Sequence, residues 1–228
     1  MSRARTPAAK EVRRGEILRA ASTLLGEAPY SEVTVARVAE RAGLAKGSVY
    51  HYFRSKEELF LHLVLDRLTE WLGALDVDLS GLGRRASPEE VGRALAAGIA
   101  GRVDLVRLLA LLHGTLEPSV EAAQIVEFKR GLLVALTASG EALESRLPGL
   151  RPGEGVRFLF RLLAAITGLA VTALPPPAIA AAIAEAPDLA AFRVDFEREL
   201  TEIAAALVAR WAPRSIPPAV RRNAKRQA

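Results

Sequence analysis

Apolar residues in this chain recur at the helical period between hydroxyl-bearing starts and Gly/Pro stops, and almost nothing in it alternates with the period of a strand. Thr6-Pro7 reads as an N-cap followed by proline in the first turn, and Val12, Ile17, Ala20, Ala21, Leu24 and Leu25 then form a helical stripe that Gly26 closes. Thr34 caps a second short helix that stops at Gly43, and a third runs from about Ala45 to Tyr52. Ser55-Lys56-Glu57-Glu58 has the capping-box form and opens a long helix through Leu59, Leu63, Trp71 and Leu72. The stretch Asp76 to Arg85, with Gly81 and Gly83, reads as a loop. Ser87-Pro88-Glu89-Glu90 repeats the capping logic. Further helices are expected over about 88–100, 102–116, 118–147, 154–174 and 188–211, while 178–186 fits a short helix or a loop. The expected fold class is therefore all-α, with about nine helices.

Half of the residues are apolar, which is ample for a core, and the abundant Ala, Leu and Arg lose little rotamer freedom in helices. Cysteine is absent, so disulfides and thiolate metal sites are excluded. Three scattered histidines argue against a transition-metal site, and no cofactor is expected. The charged N-terminus lacks the apolar core of a signal peptide, which points to the cytoplasm. The apolar run Phe158 to Leu174 contains Arg161 and reads as a buried helix rather than a membrane span, so no membrane partner is expected.

Charge is distributed unevenly. Residues 1–60 carry 11 Lys/Arg against 7 Asp/Glu, residues 61–213 carry 15 against 19, and residues 214–228 carry 5 against none. These give +4, −4 and +5, which sum to the net +5. A polyanion would be drawn to the two ends rather than to the body.

The informative segment is Thr34 to Lys56, TVARVAERAGLAKGSVYHYFRSK. Val35, Val38 and Ala39 give one helix an apolar face, and Ala42-Gly43-Leu44 can turn tightly because glycine accepts positive φ. The next helix presents Val49 and Phe53 inward. Two short helices about such a turn form a helix-turn-helix, whose second helix fits the DNA major groove. The small residues Ala45 and Gly47 let the backbone approach base edges, and Lys46 can reach guanine O6 or N7. Thr34, Ser48, Tyr50, His51, Tyr52 and Lys56 offer donors suited to phosphate oxygens.

The run from Thr34 to Phe60 resembles the DNA-binding signature of TetR-type (TetR/AcrR) regulators: Val-Ala-Glu-Arg-Ala-Gly, then Lys-Gly-Ser-Val-Tyr-His-Tyr-Phe, then Ser-Lys-Glu-Glu-Leu-Phe. The resemblance implies an N-terminal three-helix DNA-binding head over residues 1–54. A C-terminal helical-bundle domain over 55–213 would bind a ligand and dimerise, and a basic tail would occupy 214–228. It assigns base reading to Ala45, Lys46 and Gly47, and phosphate contacts to Thr34, Ser48, Tyr50, His51, Tyr52 and Lys56. Arg3, Arg5 and Lys10 are available as a basic arm.

The resemblance also implies dimerisation through two long C-terminal helices. Candidate interface residues are Phe158, Leu162, Ile166 and Leu169 on one, and Phe196, Leu200, Ile203 and Leu207 on the other, with Ala165 and Gly168 allowing close approach. Without the resemblance, each stripe reads equally well as the core of a single chain. An effector pocket would lie among the middle helices, where Trp71, Arg107, His113, Thr115, Phe128 and Thr167 interrupt apolar runs; each also fits an ordinary core or surface role.

The function these features imply is a transcriptional regulator that binds a palindromic DNA operator as a homodimer. A small, apolar effector would release it. A sequence-tolerant architectural DNA binder is the alternative, suited by the basic tail. The chain carries no nucleophile elbow, phosphate loop, His-Glu-x-x-His helix or paired metal carboxylates, so no enzyme is expected.

Overall fold

The computed structural model describes residues 6–82, 86–147 and 149–210; the basic tail and Arg3 and Arg5 lie outside them. The described residues form ten α-helices and no strand. The helices are α1 (Pro7–Glu27), α2 (Val35–Arg41), α3 (Lys46–Val49), α4 (Lys56–Ser80) and α5 (Pro88–Ala100), then α6 (Val103–Leu111), α7 (Ala122–Arg146), α8 (Glu154–Ala173), α9 (Pro177–Glu185) and α10 (Phe196–Ala209).

Caps mark the starts as the sequence implies. Thr6, Thr34, Ser55 and Ser87 each accept a hydrogen bond from the third residue beyond, satisfying an amide that the helix leaves open. At Ser55 the reciprocal half of the box is displaced: the Glu58 carboxylate takes the amide of Arg54 rather than that of Ser55.

Three expectations are corrected. Residues 76–80 belong to α4 rather than to a loop, because Leu75 and Leu79 continue the buried stripe of Leu68, Trp71 and Leu72. The helix expected over 102–116 ends as α6 at Leu111 and widens into a π-turn, Leu112–Leu116. The helix expected over 188–211 is split. Residues Pro187–Phe192 form a 3-10 segment, and Asp195 caps a separate α10 by accepting from the amide of Arg198 at 3.0 Å. The ambiguous stretch 178–186 is helical through Glu185, as α9.

The long α4 is the spine. It packs on α1 near its start and on α5, α6 and α7 beyond, while α8 sits among α6, α7 and α10. By length and composition α8 could cross a membrane, yet Phe158, Leu159, Leu162 and Ile166 from it are sealed in the core. At the α7–α8 crossing the backbones meet directly. A Cβ added at Gly155 would stand 2.1 Å from the Gly140 carbonyl oxygen, so only glycine fits there.

Candidate nucleic-acid interface

The head is built around the turn between α2 and α3. Gly43 has φ of +66°, the conformation glycine adopts without steric cost. Its amide donates to the Glu40 carbonyl at 3.0 Å, and the Leu44 amide to that of Ala39 at 2.8 Å. That pair of bonds is the Schellman closure of α2, and it fixes the direction in which α3 leaves.

α3 is short, with turns continuing through Tyr52. It is held by Val49 and Phe53, both buried, each worth about 1.5–3 kcal/mol of transfer free energy. Anchoring that side leaves Ala45, Lys46 and Gly47 exposed together at its first turn. Tyr50 and His51 are exposed beside them, and Ser48 and Tyr52 are half-buried. Thr34, exposed at the start of α2, spends its oxygen lone pair on the Arg37 amide at 3.2 Å, which leaves its hydroxyl proton able to donate to a phosphate.

Lys56 is placed differently from the expectation. Its ammonium donates to the Tyr30 carbonyl and lies 3.6 Å from the centre of the Tyr30 ring, and burial lowers its pKa. Tyr30 is itself packed edge-on against Phe60, with its hydroxyl donating to Glu57 at 3.1 Å. Lys56 thus ties the segment before α2 to α4, and phosphate contact by its ammonium would require it to leave that seat.

Two further polar joints brace the head, and the sequence did not reveal either. Arg14 of α1 donates to His62 Nδ1 of α4 at 2.7 Å and lies over the Phe53 ring. Burial first, and the Arg14 charge second, hold the His62 pKa below its ordinary 6.5. The second joint reaches across to α6. Ser22 donates to Asp104 at 2.7 Å, Arg67 of α4 lies 3.4 Å from the same carboxylate, and Arg107 donates to the Leu25 carbonyl at 2.9 Å. Contacts between residues about eighty positions apart leave no local pattern to read.

The expected effector residues differ in their settings. Trp71 is buried, and its indole N–H has no acceptor among the described residues. Phe128 is in the core. Arg107 is engaged with the end of α1, which explains a cation embedded in an apolar run. His113 is exposed on the π-turn and sits 2.9 Å from Glu117. Thr115 is half-buried, and Thr167 returns its hydroxyl to the Leu163 carbonyl of its own helix. Of the expected interface residues, Phe158, Leu162, Ile166 and Leu200 are wholly buried within the single chain. Leu169, Phe196 and Leu207 are partly buried against the same core, and Ile203 is half-buried. The stripes on α8 and α10 thus serve intramolecular packing first, because α10 lies along α5 and against α8. Among the described residues no three His, Asp or Glu side chains assemble as metal ligands.

Comparison with known proteins fits this architecture. Residues 17–63 match the model of the bacterial regulatory proteins of the tetR family, and residues 65–209 match that of the tetracyclin repressor-like C-terminal domain. The chain belongs to the TetR family. The HTH-type transcriptional repressor KstR2 of Mycolicibacterium smegmatis is 37% identical over 67 residues, which cover 29% of this chain and 32% of that repressor. The chain therefore matches only about a third of that relative's length.

A TetR transcriptional regulator from Rhodococcus sp. RHA1 superposes over 88% of this chain and 96% of its own, with a TM-score of 0.55 and 18% identity. The TetR family repressor AlkX from Dietzia sp., implicated in biodegradation of n-alkanes, superposes over 87% and 94%, with a TM-score of 0.54 and 17% identity. These two structures share their fold with this chain.

Proposed function

We propose that this TetR-family chain is a DNA-binding transcriptional repressor. Its head, residues 1–54, docks α3 in the major groove of an operator half-site. The observation that carries the reading is the exposed edge Ala45-Lys46-Gly47, held at a fixed angle by the Gly43 turn and by buried Val49 and Phe53. Lys46 reads a guanine edge while Ala45 and Gly47 admit the backbone. Thr34, Ser48, Tyr50, His51 and Tyr52 engage phosphates and set the register. Two copies bind a palindrome, their heads spaced by about 34–36 Å for half-sites one turn apart.

The body, residues 55–213, takes a small, mostly apolar effector. Trp71 supports this reading, because a buried indole N–H without an acceptor is a ready partner for a ligand oxygen. A ligand that favours one arrangement of α4 and α6 would shift the head through Ser22–Asp104 and Arg107–Leu25, provided it binds that arrangement more tightly. The work takes place on DNA in the cytoplasm.

The test is selection of bound sequences from a random duplex pool at near-physiological salt. A palindrome with two short half-sites is the expected result. Retention of DNA without any enriched motif, with affinity set by salt alone, would replace the repressor with a sequence-tolerant binder.

A further inference from the structure

The joint between Arg14 of α1 and His62 of α4 does more than tie two helices. A guanidinium has only N–H donors, so the Arg14 contact to His62 Nδ1 at 2.7 Å requires that nitrogen to keep its lone pair. The imidazole is therefore neutral, with its proton on Nε2. One aromatic ring lies against both partners. The Phe53 ring is 5.5 Å from the His62 ring, centre to centre, and 5.7 Å from the guanidinium carbon of Arg14. Phe53 is also, with Val49, the buried anchor of α3, and its amide donates to the Val49 carbonyl at 3.1 Å.

We propose that Arg14 and His62 are positioning residues for DNA recognition. They seat Phe53, and through it the reading edge of α3, only while the imidazole is neutral, so a proton on His62 loosens the grip on the operator. The inference rests on the DNA-binding reading given above and adds a proton-sensitive control to it.

Protonation turns Nδ1 into a donor that faces a donor, and it brings two cations into contact. The backbone of His62 cannot turn away, because Leu61 and Leu63 on either side of it are buried. Arg14 can move. The carboxylate of Glu11, one turn back on α1, lies 3.7 Å from its other terminal nitrogen. A shift toward Glu11 takes the guanidinium off the Phe53 ring. The charged groups that act on the imidazole are Arg14 and Glu11 of α1, Glu58 of α4 and Glu127 of α7. The three carboxylates favour the proton, yet burial and Arg14 outweigh them. Glu58 is in addition committed to the Arg54 amide.

The chain has three histidines, and the other two leave a different signature. His51 is exposed beside the reading edge, so a proton there adds a cation and strengthens phosphate contact. His113 sits against Glu117 on the π-turn of the body. Binding that weakens in acid, and that stops weakening when His62 is replaced, therefore singles out the joint.

The test is affinity for the selected duplex by fluorescence anisotropy, from about pH 8 to about pH 5 at constant ionic strength, with helical circular dichroism followed in parallel. If only the neutral form is competent, the dissociation constant rises by up to about tenfold per pH unit below the His62 pKa. His62→Asn puts an amide oxygen where Nδ1 stands and does not titrate. Arg14→Gln can donate to the neutral ring and accept from the protonated one. Both variants should lose the acid limb, whatever their affinity in the alkaline range. Nitrogen-15 NMR of the imidazoles reads the joint directly: the His62 pKa should fall further when operator is added, since linkage is reciprocal. A parent whose affinity is flat or rises in acid, a His62→Asn variant that keeps the limb, or a His62 pKa that operator leaves unchanged overturns the proposal. A folded parent that binds no duplex at any pH overturns the DNA-binding reading itself.

Discussion

Replacing Gly155 by alanine tests the packing that holds the body together. An added Cβ would lie 2.1 Å from the Gly140 oxygen and 2.6 Å from its carbonyl carbon, whereas ordinary Cβ contacts lie beyond 3.4 Å. Both obstacles are backbone, so no side chain can rotate away, and α7 and α8 must separate by about 1 Å. A gap of that size forfeits about a quarter to a half of each dispersion contact along the crossing. Overpacking of this kind costs about 1–3 kcal/mol, offset by about 0.5–1 kcal/mol because alanine is the better helix former. The net loss should be about 1–2 kcal/mol, or about 3–6 °C in Tm for a body of this length. Gly73→Ala is the control: it lies in α4 with nothing within 4 Å, so it should gain about 0.5–1 kcal/mol. Urea and thermal unfolding followed by circular dichroism would report both. If Gly155→Ala proves as stable as Gly73→Ala, the backbone contact between α7 and α8 does not exist as described.

Lys46→Ala should cost about 1–3 kcal/mol in operator affinity and less on random duplex, measured by fluorescence anisotropy; equal losses on both would make Lys46 a phosphate contact. The depressed His62 pKa means that the unfolded chain binds more protons than the folded one between the folded value and 6.5. Stability should therefore fall as pH drops through 6.5 and level off above it. His62→Gln should flatten that slope in urea titrations run at a series of pH values, and an unchanged slope would remove His62 from the explanation. Asp104→Ala removes the acceptor of Ser22 and the carboxylate beside Arg67. It should destabilise the chain by about 1–3 kcal/mol and raise hydrogen exchange in α1 more than in α10. Equal changes in the two helices would mean that the joint does not serve the head in particular.

Local chemistry was legible from sequence; long-range chemistry was not. Thr6, Thr34, Ser55 and Ser87 announced their helices because a cap acts on an amide three residues away. Gly43 announced its turn because the conformation belongs to that residue alone. Lys56 looked like a phosphate ligand because sequence order gives its position on the helix but not the Tyr30 ring beneath it. Arg107 looked like a pocket residue for the same reason. The stripes on α8 and α10 were visible, but not their partners. An apolar face at helical spacing fits a second chain or a neighbouring helix equally well, and here α5, α7 and α8 claim most of it.

Arg107 bears on any attempt to move this head onto another body. Its guanidinium supplies to α1 the donor that a helix C-terminus otherwise finds in its own last turn or in water. The reading head is therefore completed by a residue that lies more than fifty positions beyond its own sequence boundary. A chimera cut anywhere between α3 and α6 would inherit the helix-turn-helix but leave the end of α1 unfinished, unless the recipient offers a cation where Arg107 stands. Designs that move this reading head should treat Ser22, Leu25, Asp104 and Arg107 as part of the cassette.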